Sequence, residues 1–290
     1  MKKVVCSLLV LFTFFVSQSS GLTVFETFNE DVIQNGSWTY TNTIGTDGKN
    51  GGSVNYVGIT DNTGGYVTYN VARDNDATIR LFKNFGETLT IFSNSSAWLE
   101  YDFQVLPNNS GAAYSLIGLF SGNENYPSTE FDTIALRPRA NLGSMDVSVS
   151  NSGTAGITDS SGTTGTAWIG GINYRAKIKI TGHKDGPDGT TGTMRLYMNA
   201  DIYTLDGNTE TLLTDGAEIK IFGQAYGFSL DSIGFGNNFG TRGGSGNFAI
   251  DNFYFSTEGP NANTTAPFVS VPEPATLFIL SMGLMLIRRK

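Results

Sequence analysis

This 290-residue chain has one Cys and one His, and fewer basic than acidic residues, 18 Lys plus Arg against 26 Asp plus Glu, for a formal net charge of −8. A single thiol, Cys6, allows no disulfide within the chain, and with His183 as the one imidazole there is no ordinary structural zinc site. A Ser-His-Asp triad would have to use His183, which stands in Gly182-His183-Lys184-Asp185-Gly186-Pro187-Asp188-Gly189, a run that reads as a hairpin loop. No Gly-x-Ser-x-Gly elbow presents a serine to it. The chain has no basic patch, and its acidity repels phosphate backbones, so nucleic acid is not an expected partner. Gly234-Phe235-Gly236-Asn237-Asn238-Phe239-Gly240 and Gly243-Gly244-Ser245-Gly246 lack the Lys-Ser/Thr and helix of a phosphate loop and read as strand-to-strand loops. Nor does the body show a helical stripe.

Alternation with period two is what the body does show. In Ala97 to Val105, Leu99, Tyr101, Phe103 and Val105 fall on one face and Trp98, Glu100, Asp102 and Gln104 on the other, the pattern of a half-buried strand. Similar runs are predicted as strands at 23–28, 37–43, 54–59, 66–71, 78–82, 114–120, 133–136, 145–149, 174–180, 194–203, 217–222, 231–235 and 248–255. Between them lie Gly, Asn, Asp, Ser and Thr clusters, and 36 glycines supply the positive φ that many tight turns require. The expected fold is all-β, one antiparallel β-sandwich over residues 22–256.

The two ends have a different composition. Lys2-Lys3, the apolar run Val4 to Val16 and the small residues Ser17 to Gly21 have the layout of a secretory signal peptide over residues 1–21, so the Sec export machinery and signal peptidase are expected partners. Residues 257–270, with almost no large apolar side chain, read as a flexible linker. Residues 271–290 hold Pro272-Glu273-Pro274, an apolar run from Thr276 to Ile287 and the cluster Arg288-Arg289-Lys290. The prolines disfavour helix at the hinge, the run is a short transmembrane helix of about 20 Å, and the three cations stop on the cytoplasmic side. Five basic residues but only one acid lie in the two ends, which leaves the body 13 Lys plus Arg against 25 Asp plus Glu.

In that order and at the extreme C-terminus, these features resemble the PEP-CTERM sorting signal of Gram-negative bacteria. The resemblance implies an exosortase-type processing protease as partner, transient inner-membrane anchoring, and delivery to the outer surface or an extracellular polysaccharide matrix. The body resembles the concanavalin A-like jelly roll of lectins, laminin G-like domains and family 16 glucanases. Three places carry this likeness: the opening run Phe25 to Asn29 with Trp38 after it, the hairpin Tyr174 to Ile180 with Met194 to Asn199, and the closing pair Asp231 to Gly236 and Phe248 to Phe255. In such folds the last strand lies beside the first.

Two chemistries meet on the polar face of the strand at 97–105. Aromatic rings stack on sugar faces while Glu, Asp and Gln bond hydroxyls, so Trp98, Glu100, Asp102 and Gln104 form a candidate glycan-binding row. In the glucanases a similar strand carries three acids. Glu100 and Asp102 match the first two, but Gln104 and Val105 occupy the place of the third, so hydrolysis by that route is not expected. The chain therefore reads as an exported structural or adhesive protein with a glycan-binding face, or as a lectin-like module with a definite groove, with a glycoside hydrolase the third alternative. No cofactor is expected. Calcium is the one ion whose ligand chemistry the acidic loops offer, at Asp74-Asn75-Asp76 or at Asp185 and Asp188.

Overall fold

Side chains alternate along each strand, so a chain of such strands must stack two sheets to bury one face of each. The computed structural model describes residues 21–42, 52–58, 65–71, 79–91, 96–106, 110–111, 115–120, 133–139, 144–151, 154–157, 169–184, 194–214, 219–221, 228–237 and 244–262. Their strands are β1 (Thr23–Glu26), β2 (Thr39–Asn42), β3 (Gly52–Gly58), β4 (Gly65–Val71), β5 (Ile79–Ile91), β6 (Ser96–Val105), β7 (Ser110–Gly111), β8 (Ser115–Phe120) and β9 (Thr133–Arg139). They continue as β10 (Ser144–Asn151), β11 (Thr154–Ile157), β12 (Asn173–Lys184), β13 (Met194–Asp206), β14 (Thr209–Thr214), β15 (Ile219–Ile221), β16 (Phe228–Asn237) and β17 (Gly244–Ser256). One sheet runs β14-β13-β12-β6-β17-β4-β3, with β1 and β7 on β17 and β15 on β13; the other runs β11-β10-β9-β8-β16-β5-β2. The pairs are antiparallel and the chain passes repeatedly from one sheet to the other, as at β5 to β6 and β16 to β17, so the protein is a jelly-roll β-sandwich. Among the described residues no helix is long and apolar enough to cross a membrane. The signal peptide and the segment from Pro272 to Lys290 lie outside the described residues.

The inward residues of β6 are buried as their alternation predicts: Leu99, Tyr101, Phe103 and Val105 are each at most 3% exposed. They meet rings from distant strands, with Tyr101 stacked on Phe253 at 6.0 Å between centroids and Phe103 on Tyr174 at 5.4 Å. Trp38 is a core residue. It sits edge-on to Phe253 at 5.6 Å, and its indole N–H donates to Glu26 at 3.0 Å, which satisfies the one polar atom that burial would orphan. Burying each such ring contributes about 1.5–3 kcal/mol, which is how the fold manages without disulfides.

The last strand solves a problem of parity. Phe248 and Ile250 point inward, and strict alternation would send Phe253 and Phe255 outward. A bulge in the pairing of β17 with β6 falls between Asp251 and Tyr254, with Asn252 at φ 48°, and the extra residue returns both phenylalanines to the core. Asn is among the few residues that adopt this left-handed conformation readily. The first strand pairs with the last, Thr23 opposite Ser256 through Glu26 opposite Phe253.

Four expectations are corrected. Gly182, His183 and Lys184 belong to β12, with His183 opposite Arg195, because the hairpin with β13 extends farther than its apolar residues suggest. Gly234 to Asn237 and Gly244 to Gly246 are strand, not loop. At Gly234 the sheet is too tight for a side chain, since an added Cβ would run into the Leu81 carbonyl. Thr154 to Ile157, within a Gly-rich stretch read as turn, forms an edge strand on β10. The start of the spacer is fastened to the sandwich: Thr257 N–H donates to Leu22 O at 2.9 Å, and the Tyr254 hydroxyl donates to Gly259 O at 2.9 Å.

Tyr101 carries an internal test. Its hydroxyl is fully buried with no hydrogen-bond partner among the described residues, and burial pushes its pKa up. Tyr101→Phe removes that unsatisfied oxygen and leaves the ring, so chemical denaturation should show the variant more stable by about 1 kcal/mol. A loss of that size would mean the hydroxyl has a partner.

Candidate functional site

Register across four neighbouring strands sets out the outer face of the ten-stranded sheet as a grid. Tyr254, Glu100, Lys177 and Asp201 lie in one row across β17, β6, β12 and β13, and Ser256, Trp98, Lys179 and Asn199 lie in the next. Columns are about 4.8 Å apart and rows about 6.7 Å, the scale of a sugar ring. These side chains other than Ser256 floor a cavity of about 270 Å³, and Pro260 and Asn261 form one wall. The wall is held there by the bond from Tyr254 to Gly259.

Asp251, Asp102, Arg175 and Tyr203 make the third row, in which the first three are buried and Tyr203 is half-buried. Arg175, 4% exposed, grips Asp102 with two bonds, Nε to Oδ1 at 2.6 Å and a terminal nitrogen to Oδ2 at 2.8 Å. The bulge turns the Asn252 amide toward the same carboxylate, donating to Oδ2 at 2.8 Å. The other terminal nitrogen of Arg175 donates to Glu210 at 2.8 Å, and Lys177 donates to the second oxygen of Glu210 at 2.7 Å. Burial pushes the Asp102 carboxyl up, against the pull of Arg175 and Asn252. It also opposes charge on Arg175, but Asp102 and Glu210 hold the guanidinium above its ordinary value. Glu210 would rise with burial, yet Lys177 and Arg175 keep it below the usual carboxylate range.

Glu100 stands at the border between this closed cluster and the cavity. It is 6% exposed, and its carboxyl approaches Arg175 Nε only to 3.6 Å, too far for a hydrogen bond. Burial outweighs the nearby cations, and its pKa is pushed up to about 7.

The sequence-predicted row is therefore divided. Trp98 and Glu100 reach the cavity, while Asp102 is fully buried in the ion cluster and Gln104, 2% exposed, donates from Nε2 to Gly171 O at 2.9 Å and to Asn173 Oδ1 at 3.0 Å. The expected half-buried strand is buried on both faces over most of its length, because Arg175, Asn252 and the turn at 169–172 cover its outer side. Sequence reasoning passed over Lys177, Lys179, Asn199, Asp201 and Tyr254. The alternating cations Arg175-Lys177-Lys179 were the available signal, since period two puts all three on one face. Glu210 was signalled by Asp206-Gly207-Asn208, a tight hairpin turn with Gly207 at φ 57° that makes β14.

Among the described residues no group of three or more His, Cys, Asp and Glu is placed to hold a metal ion. The calcium candidates Asp74, Asp76, Asp185 and Asp188 lie outside the described residues.

Fold and site together define a jelly-roll sandwich with a polar, aromatic-edged cavity on the outer face of its larger sheet. No family model and no curated protein matches the chain. Solved structures that resemble it include the carbohydrate recognition domain of Emp47p, with TM-score 0.42 and 11% identity over 81% of this chain and 95% of that one. Others are the alginate lyase vAL-1 from Chlorella virus, with TM-score 0.44 and 10% identity over 81% and 98%, and the lumenal domain of VIP36 in its Ca2+/Man3GlcNAc-bound form, with TM-score 0.41 and 9% identity over 83% and 90%. No residue role is carried over from them.

Proposed function

We propose that this chain is an exported envelope or matrix protein whose sandwich holds a saccharide in the cavity above β17, β6, β12 and β13. The observation that carries the reading is the placing of two aromatic side chains, Trp98 and Tyr254, beside carboxyl, amide and ammonium groups around one cavity. Aromatic faces take the apolar side of a sugar, and the Asn199 amide, Asp201 and Lys179 suit its hydroxyls. Lys179 Nζ rests 5.7 Å from the centre of the Trp98 ring, so a bound sugar would displace or flank it. The cavity has room for one ring, with the rest of a chain lying outside it.

A glycan array on the protein should give a selective signal. In titration calorimetry with the glycan so found, Trp98→Ala should weaken binding at least tenfold, about 1.4 kcal/mol. An unchanged isotherm would remove Trp98 from the site.

Export through the Sec machinery, cleavage by signal peptidase and processing of the Pro272-Glu273-Pro274 tail by an exosortase-type protease belong to the same proposal, and rest on the composition of the two ends. Intact-mass analysis of protein recovered from its native cells should show the N-terminal segment removed and the tail beyond Pro274 cut or modified. Full-length chain in the cytosol, with Met1 and Lys290 attached, would contradict it.

A further inference from the structure

We infer that the cavity takes its saccharide together with a proton: Glu100, as the neutral acid, is the group in its floor that bonds the ligand, so the sugar is held on the acid side of neutrality and released on the alkaline side. This rests on the saccharide reading of the same site, and adds to it the group that anchors the ligand and the condition that controls it.

Glu100 has the placement for this. Its backbone lies in mid-sheet, opposite Lys177 of β12 on one side and Tyr254 of β17 on the other, so the residue stays in the floor. The side chain is 8% exposed and lines the cavity. Among the described residues no donor bonds its carboxyl. Arg175 Nε stops at 3.6 Å and bonds Asp102 instead at 2.6 Å, while Lys177 Nζ goes to Glu210 at 2.7 Å. The Tyr254 hydroxyl donates to Gly259 O at 2.9 Å, and Lys179 Nζ rests over the Trp98 ring in the neighbouring row. Leaving a polar group this buried without a partner is costly. The direction still open to Glu100 is the cavity, where a ligand can supply what the protein does not.

Surroundings decide which form of the carboxyl binds. The groups facing it are Asp102 on its own strand, Arg175 and Lys177 on β12, Glu210 on β14 and Tyr254 on β17, and Lys179 and Asp201 line the same cavity. Burial is the largest influence and opposes the charge; Arg175 and Lys177 favour it, Asp102 and Glu210 oppose it, and the carboxyl titrates near 7 before any ligand arrives. A sugar ring seated beside Trp98 strips the remaining water from Glu100, which penalises the charged form further. The neutral carboxyl also offers one O–H donor and one carbonyl acceptor, a match for sugar hydroxyls that both donate and accept, whereas the ionised form only accepts. Saccharide and proton therefore strengthen each other's binding, and the linkage is reciprocal.

The test uses protein purified from its native cells, with those cells' extracellular polysaccharide, laminarin, xylan and polygalacturonate as probes. Calorimetry at about pH 5.5 and about pH 8.5 brackets the titration of Glu100. The parent should bind at least tenfold more weakly at the higher pH, taking up close to one proton per site there. Glu100→Gln, which has no proton to lose, should differ by less than about twofold between the two conditions. The parent gives a second readout that needs no variant: at the higher pH, the 13C signal of the Glu100 carboxyl should move to its protonated position as saccharide is added. A parent affinity equal at both pH values, a variant that keeps the parent's pH dependence, or a Glu100 carboxyl that stays ionised in the saturated complex would overturn the inference and leave the saccharide reading in place. Binding of none of the four probes at either pH would overturn both.

Discussion

Arg175→Ala is expected to lower the unfolding free energy by about 3–5 kcal/mol, because it leaves the buried Asp102 carboxyl either charged without its guanidinium or forced to take up a proton. Asp102 is fully buried and takes two of its three side-chain bonds from this guanidinium. Glu210 would lose one of its two cations and the β13–β14 hairpin one of its ties to β12. For a body of this size the melting temperature should fall by roughly 10 °C. The double variant Arg175→Met with Asp102→Leu separates the cost of a broken pair from the worth of an intact one. It should recover most of the loss, since a buried ion pair and an apolar pair of similar volume are often close in stability. A single variant within 1 kcal/mol of the parent would show that water reaches the cluster.

Glu100→Gln should stabilise the protein at pH 8 and leave it unchanged at pH 4. The folded pKa of Glu100 is about 7, against 4.5 for the free side chain. Between those values the folded state binds more protons than the unfolded state, so the contribution of Glu100 is intact below pH 4.5 and is lost as pH rises toward 7. Above 7 the folded protein carries the cost of a buried, poorly bonded charge, about 3 kcal/mol by the size of the shift. Gln has the same shape and no charge to desolvate. Urea denaturation of parent and variant at several pH values should show the two curves separating between pH 4.5 and 7, the variant lying higher. Parallel curves would place the Glu100 carboxyl in solvent.

Much of the architecture was legible because a strand writes its faces into its own sequence. Leu99, Tyr101, Phe103 and Val105 identified the core side of β6, and the hairpin of β12 and β13 and the pairing of β1 with β17 followed the expected order. Even the bulge left a trace, since Ile250 and Phe253 are an odd number of residues apart yet both lie inside. The end of β5 was less visible. It continues past Gly86, at φ 75°, to Ile91 through an irregularity where several of its residues face few on β16, and alternation fails at such a place.

The site was half legible, for a different reason. Trp98 and Glu100 could be read as an outward pair, but whether Asp102 and Gln104 stay in solvent depends on what lies beside them, and alternation along one strand says nothing of that. The partners of Asp102 are 73 and 150 residues away in sequence. Strand order alone brings them together. Asp201 lines the cavity through the same cross-strand register, which alternation along β6 alone does not show.

The account rests on the outer face of the larger sheet being where a saccharide is held, and Trp98 and Trp38 report on that directly. In NMR spectra of the protein titrated with fragments of its native extracellular polysaccharide, the indole N–H of Trp98 and the amides of Glu100, Lys179, Asn199 and Tyr254 should shift with one saturating dependence. The indole of Trp38, buried and bonded to Glu26, should stay in place. Shifts confined to the strands of the opposite sheet, with Trp98 unmoved at saturation, would contradict the account.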